Sequence, residues 1–246
     1  MLLAPHVHWI QGVQANVYLC VEADSCTLID TGKESIDRVD VILNYLERLH
    51  FYPAGLKRIV LTHAHAEQAG NVAALQEICE ATVYASAAAG RSLVAGLASD
   101  VGASAGSEEV ETGVAEPTGR LARLRERSQG FPALTAVDAF ETIAAGDVLP
   151  VLDGLLVLNA AGHTPDQLAF YLPRTGVLFA GDALCRGRSG WDVPTAVDKT
   201  LAHQTAQRLL SLSPAVVAAA QGQPHQPHTL FDILSIQPPT MLGEQA

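Results

Sequence analysis

Apolar residues along this chain recur with two different periods, and the changes of period mark its elements. Residues 16–21 and 27–30 are β-rich apolar runs separated by Glu22-Ala23-Asp24-Ser25, which predicts an antiparallel hairpin. From Ser35 to Leu49, the positions Ile36, Val39, Leu43, Leu46 and Leu49 return every three or four residues beside charged ones. That spacing predicts an amphipathic helix with Ser35 as its N-cap. A buried strand follows over 58–61, then a polar, histidine-rich turn over 62–68, a helical pattern over 67–80 and a short strand over 82–85. A second β-rich half starts near Asp147, with strands over 155–160, 167–172 and 177–180. The last two are joined by the turn Pro173-Arg174-Thr175-Gly176. Residues 200–212 read as a helix, 215–219 as a buried strand and 230–236 as a short helix. The tail after 237 reads as frayed.

Between 87 and 131 the pattern lapses. Small residues dominate, 100–119 carries acids with no base, and the basic stretch 120–127 suits a short surface helix. This stretch reads as an insertion, with a lid or a dimer contact as the alternative to a flexible connector. The chain is otherwise expected to form one domain over 1–236.

Composition narrows the function. Hydrophobic residues make up 48% and charged residues 17%, which excludes a largely disordered chain. A net charge of -11 opposes nucleic acid and anionic membranes, because such a surface repels phosphates. A small-molecule or protein partner is expected instead, and a homodimer stays open. Residues 1–10 lack a basic, then apolar, leader, and no run approaches the roughly 18 apolar residues of a membrane span, so a cytoplasmic location is expected. Cys20, Cys26, Cys79 and Cys185 follow no zinc-ribbon spacing and are expected as reduced thiols, although Cys20 and Cys26 fall where a hairpin can bring them face to face.

The candidate chemistry lies at strand exits. His63 and His65 alternate with Ala64 directly after a strand, so both imidazoles project to one side. His163 follows Gly162 beyond the strand ending near Ala160, and Asp182 follows Gly181 beyond another apolar strand. Three imidazoles and a carboxylate in such places suit zinc, or iron through a two-histidine, one-carboxylate arrangement.

Asp30-Thr31-Gly32, the run from Thr62 to Gly70 (Thr-His-Ala-His-Ala-Glu-Gln-Ala-Gly), Gly162-His163-Thr164-Pro165 and Gly181-Asp182, in this order, resemble the metallo-β-lactamase superfamily, particularly its glyoxalase II-like hydrolases. The resemblance spans roughly 7–225. It implies an α/β fold of the α+β kind, a four-layer αβ/βα sandwich with a metal cleft at one edge. It also implies that His63, His65 and His163 hold a first metal, that Asp182 bridges, and that Glu67, Gln68 and Gln221 fall at second-metal positions.

The departures all strike one ion. Members of the family usually read His-x-His-x-Asp-His, where this chain has Glu67 for the aspartate and Gln68 for the third histidine. Gln221 stands where a C-terminal histidine is usual. A neutral amide oxygen is a poor substitute for imidazole nitrogen toward zinc or iron, so one ion is expected. His225 and His228 lie just beyond Gln221, where Pro224 and Pro227 favour an exposed loop over a place in the cleft. His6, His8, His50 and His203 fit no ligand pattern, and Cys185 reads as a structural thiol near the cleft.

Three functions stay open on these residues. The first is a hydrolase in which one metal activates water against an ester, thioester or lactone, with Asp182 and Glu67 as catalytic carboxylates. The second is a mononuclear-iron oxidoreductase like the superfamily's persulfide dioxygenases, on His63, His163 and Asp182. The third is a non-enzymatic metal-binding module in which Asp182 closes a tetrahedral shell.

Overall fold

A computed structural model of the chain describes residues 1–11, 15–98, 134–187, 190–193 and 196–225. Two mixed sheets stack face to face. The first holds β1 (Leu2–Ala4), β2 (Val7–Ile10), β3 (Val17–Val21), β4 (Cys26–Ile29), β5 (Leu56–Val60), β6 (Thr82–Ala85) and β7 (Glu141–Thr142), hydrogen-bonded in chain order. Its strands run antiparallel as far as β4 and parallel from β4 to β7. The second sheet has β8 (Val148–Leu149), β9 (Leu155–Asn159), β10 (Leu168–Leu172), β11 (Val177–Gly181) and β14 (Val216–Ala219), in the order β14-β11-β10-β9-β8. A small ribbon, β12 (Cys185–Gly187) with β13 (Gly190–Asp192), follows β11.

Period-two alternation explains the layering. Along β4 and β5, Ile29 and Val60 face the second sheet and join Trp9, Tyr18, Val157, Phe170 and Phe179 in a core between the sheets. Their neighbours Leu28 and Ile59 face outward onto α1 (Ile36–Arg48) and α3 (Val72–Cys79), packing with Ile42, Leu46 and Leu75. On the far side, Leu178, Ala180 and Val217 pack beneath Ala206, Leu209 and Leu210 of α5 (Lys199–Leu210). Helix, sheet, sheet, helix is the expected αβ/βα sandwich.

Several local expectations are corrected. Helix 67–80 is two helices, α2 (Ala66–Ala69) and α3, broken at Gly70-Asn71. A Cβ on Gly70 would lie 2.1 Å from the backbone nitrogen of Glu34, so a larger residue would push α1 away. Ser35 occupies the N-cap position of α1 but its side chain makes no capping bond. Asn71 instead accepts the Ser35 N–H at 2.9 Å and donates to the carbonyls of Thr31 and Lys33. The insertion begins later than 87: Ala87–Val94 form a helix, α4, whose N-cap Ser86 accepts the Ala89 N–H at 3.2 Å. The basic stretch 120–127, the helix at 230–236, the tail and His228 lie outside the described residues. The four cysteines are free thiols. Cys20 pairs with Thr27 while Cys26 pairs with Val21, so the two sulfurs enter opposite faces of the sheet. Among the described residues no helix is long and apolar enough to cross a membrane.

Candidate metal centre

Each chemistry-bearing side chain leaves the end of a strand. Asp30 follows β4, the Thr62-His63-Ala64-His65 segment follows β5, His163 comes just after β9, Asp182 directly follows β11, and Gln221 comes after β14. Two glycines allow the close approach. A Cβ on Gly181 (φ +55°) would lie 2.9 Å from Thr62, and one on Gly162 (φ +139°) would lie 2.4 Å from Cα of Ala202 in α5.

Four ligand-type atoms converge, from His63, His65, His163 and Asp182, all within 4.8 Å of one another. Nδ1 of His65 stands 2.9 Å from Nε2 of His63 and 3.1 Å from Nε2 of His163. Oδ2 of Asp182 stands 3.6 Å from Nε2 of His63 and 3.8 Å from Nε2 of His163. Around a tetrahedral zinc with bonds of roughly 2.0–2.1 Å, neighbouring ligand atoms are separated by about 3.4 Å. These four spacings straddle that value, so the cluster can take up a cation.

Electrostatics agree. Burial, then the neighbouring imidazoles His65 and His163, hold His63 well below the usual histidine range. Burial, with His163 beside it, lowers His65 to about 4. These two rings are therefore neutral at pH 7 and keep a lone pair for a cation. Asp182 is pushed up to about 6 by burial, against the pull of His163, and Glu67 raises it further.

Behind the ligands lies a relay that the linear pattern does not announce. Asp30 accepts the Thr62 N–H at 2.9 Å and the Thr62 hydroxyl at 2.9 Å, and that hydroxyl oxygen sits 3.0 Å from Nδ1 of His63. Asp30 is a non-glycine residue at φ 57°, a conformation these bonds hold in place. Burial pushes its carboxyl up to about 7. The available signal was Asp30-Thr31-Gly32 itself, an acid and a positive-φ glycine at a strand end.

The second-metal positions are built differently. Gln68 is fully buried, and its Nε2 donates to Oδ2 of Asp182 at 2.8 Å. Glu67 is exposed and stands outside the four-atom cluster. Gln221, also exposed, brings its Nε2 3.4 Å from Oε2 of Glu67. The Gln221 loop is moored by Asn16, whose N–H bonds Ala220 O at 2.8 Å and whose Nδ2 bonds Ala219 O at 2.9 Å. His225 is spent elsewhere: its backbone bridges Val217 and its ring stacks edge-on against Trp191. His6, His8, His50 and His203 stay out of the cluster. Cys185 is half-buried on β12.

Comparison with known proteins bears on this site. The family model described as metallo-beta-lactamase superfamily matches residues 10–221. The chain is 25% identical over 223 residues to a protein of Bacillus subtilis (strain 168) named "Probable metallo-hydrolase YqjP", covering 85% of this chain and 67% of that one. Among solved structures it resembles a metallo-beta-lactamase family protein of Thermus thermophilus, TTHA1429. The TM-score is 0.65 at 21% identity, over 95% of this chain and 77% of the other. It also resembles TTHA1623 in a di-iron-bound form, with TM-score 0.62 at 26% identity over 89% and 93% of the two chains.

Proposed function

The chain belongs to the metallo-β-lactamase superfamily, and on that premise we propose that it is a hydrolase working with one metal ion, zinc in the first instance, on an ester, thioester or lactone. The observation that carries this reading is the convergence of His63, His65 and His163 with Asp182 on a space fitting a single cation. The three imidazoles would hold the ion and leave a position for water, with the Asp182 carboxylate beside it. When bound, it supplies Lewis acidity and lowers the pKa of a water toward about 7.

The chain's own groups do the rest. Thr62 and Asp30 orient His63, so that its Nε2 points toward His65 and Asp182, where it would hold the ion. Asp182, pushed up to about 6, is ionised at neutral pH. Its Oδ2 is taken by Gln68, which leaves Oδ1 to accept the proton of the attacking water. Glu67, exposed beside Gln221, is an outer carboxylate that relays that proton or holds a substrate group. The expected partner is a small molecule reaching a soluble, cytoplasmic enzyme of glyoxalase II-like type.

The spacing of Oδ2 from two imidazole nitrogens, 3.6 and 3.8 Å, also supports a second reading, in which four protein ligands close the shell and the chain is a metal-tied binding module. Iron in place of zinc is supported by the di-iron form of TTHA1623. On iron, His63, His163 and Asp182 would serve persulfide oxidation. Metal-loaded protein assayed against esters, thioesters, lactones and a glutathione persulfide separates these readings. Hydrolysis lost in His163→Ala supports the proposal. Full metal occupancy without turnover selects the module, and oxygen uptake selects the oxidoreductase.

A further inference from the structure

We propose that Gln68 is a positioning residue for Asp182 that does, with an N–H, what a second cation would do with a charge. The inference rests on reading this cluster as a metal centre.

Gln68 has no exposed surface, and its Nε2 donates at 2.8 Å to Oδ2 of Asp182. That oxygen is the same one that stands 3.6 Å from His63 and 3.8 Å from His163. It therefore faces the imidazoles on one side and an amide donor on the other. A carboxylate oxygen has two lone pairs, and this arrangement uses one for each direction. The orientation of the amide follows from charge, because turning it over would set Oε1 against an ionised carboxylate.

The backbone beneath Gln68 is equally fixed. Its carbonyl oxygen receives both the N–H of Thr31 at 2.6 Å and the hydroxyl of Thr31 at 2.9 Å, tying α2 to the end of β4. The donor is thus pre-aimed rather than free to search. What remains is Oε1, a buried acceptor with no hydrogen-bond partner. A buried carbonyl oxygen without a donor is costly, so this acceptor calls for a donor that the surrounding side chains do not supply. A buried water beside Asp182 would supply that donor. Gln68 then holds the carboxylate with one end, and its other end is left to a buried water.

Gln68→Met removes donor and acceptor at similar volume, and Gln68→Leu repeats the change with a different shape in case the first variant does not fold. Gln68→Lys restores an N–H donor without adding an imidazole ligand. Each protein is loaded with one equivalent of Co2+, its visible spectrum is recorded, and its affinity is measured by competition with a chelator. The expected result is a shifted spectrum and about a 10–100-fold loss of affinity in the apolar variants, with the wild-type spectrum regained in Gln68→Lys. Apolar variants that keep the wild-type spectrum and affinity, changing only thermal stability, would overturn the proposal. A wild-type protein that hydrolyses nothing sinks the hydrolase reading but leaves this spectral comparison able to succeed or fail alone.

Discussion

The Thr62 hydroxyl oxygen sits 3.0 Å from Nδ1 of His63, on the ring edge away from the metal cluster. Because that hydroxyl donates to Asp30 at 2.9 Å, its oxygen is left to accept from Nδ1–H. The proton is thereby held on the outer nitrogen and the lone pair on Nε2, the atom that faces Asp182 and His65.

Asp30→Asn should reverse this relay without changing its shape. With the Asn oxygen on the Thr62 N–H, its NH2 must donate to Oγ1, the hydroxyl must donate to Nδ1, and Nε2 must carry the proton. Zinc affinity should fall by about 10–100-fold in a protein that still folds, as read by chelator competition. Unchanged affinity would remove the relay from the account.

The same residue gives a stability signature in the metal-free protein. Asp30 has a folded pKa of about 7 against an ordinary value of 3.8, so the folded state binds more protons between these limits. Its contribution is fully present below pH 4 and is lost as pH rises through 7. Denaturant melts of wild type and Asp30→Asn should diverge over that window, the wild type losing a few kcal/mol relative to the variant. Parallel profiles would contradict the burial argument.

Protons should compete with the metal first at Asp182. Its carboxyl, at about 6, is protonated as pH falls below that value, whereas His65 takes up a proton only near 4. Below pH 6, wild-type zinc affinity should therefore fall about tenfold more per pH unit than that of Asp182→Asn. Calorimetric titrations at several pH values give both slopes, and equal slopes would show that Asp182 does not titrate against the ion.

The sandwich was legible because both sheets are built from strands whose apolar faces carry it. Ile29 and Leu28, or Val60 and Ile59, fill opposite layers, and such runs are readable without tertiary information. The four cluster residues were legible because each one sits at a strand exit. Less legible were features decided by close contact. The break at Gly70 depends on the backbone of Glu34, 36 positions earlier in the chain, and α4 starts in a run of alanines that reads equally well as a connector. The Gln68 to Asp182 bond spans 114 residues, so spacing could mark Gln68 as a lost ligand but not as a donor.

Gly162 tests the scaffold rather than the ligands. Gly162→Ala places a Cβ 2.4 Å from Cα of Ala202 at φ +139°, so α5 must shift or His163 must turn. A stability loss of about 2–4 kcal/mol, with weakened metal binding, is expected from melts and competition titrations. A variant as stable and as tight as wild type would show that α5 does not set the position of His163.

Restoring the family's usual residues should restore the missing ion. Glu67→Asp, Gln68→His and Gln221→His together rebuild an acid and two imidazoles around Asp182, and the triple variant should hold two metals per chain by elemental analysis. A triple variant that still holds one would mean that the loop moored by Asn16 keeps position 221 out of reach.

The most direct test is metal content of the wild-type chain after purification and reconstitution with excess zinc, measured by elemental analysis against protein concentration. One ion per chain, lost in His163→Ala and kept in Glu67→Gln, is the predicted result. Two ions per chain, with Gln68 and Gln221 among their ligands, would contradict it.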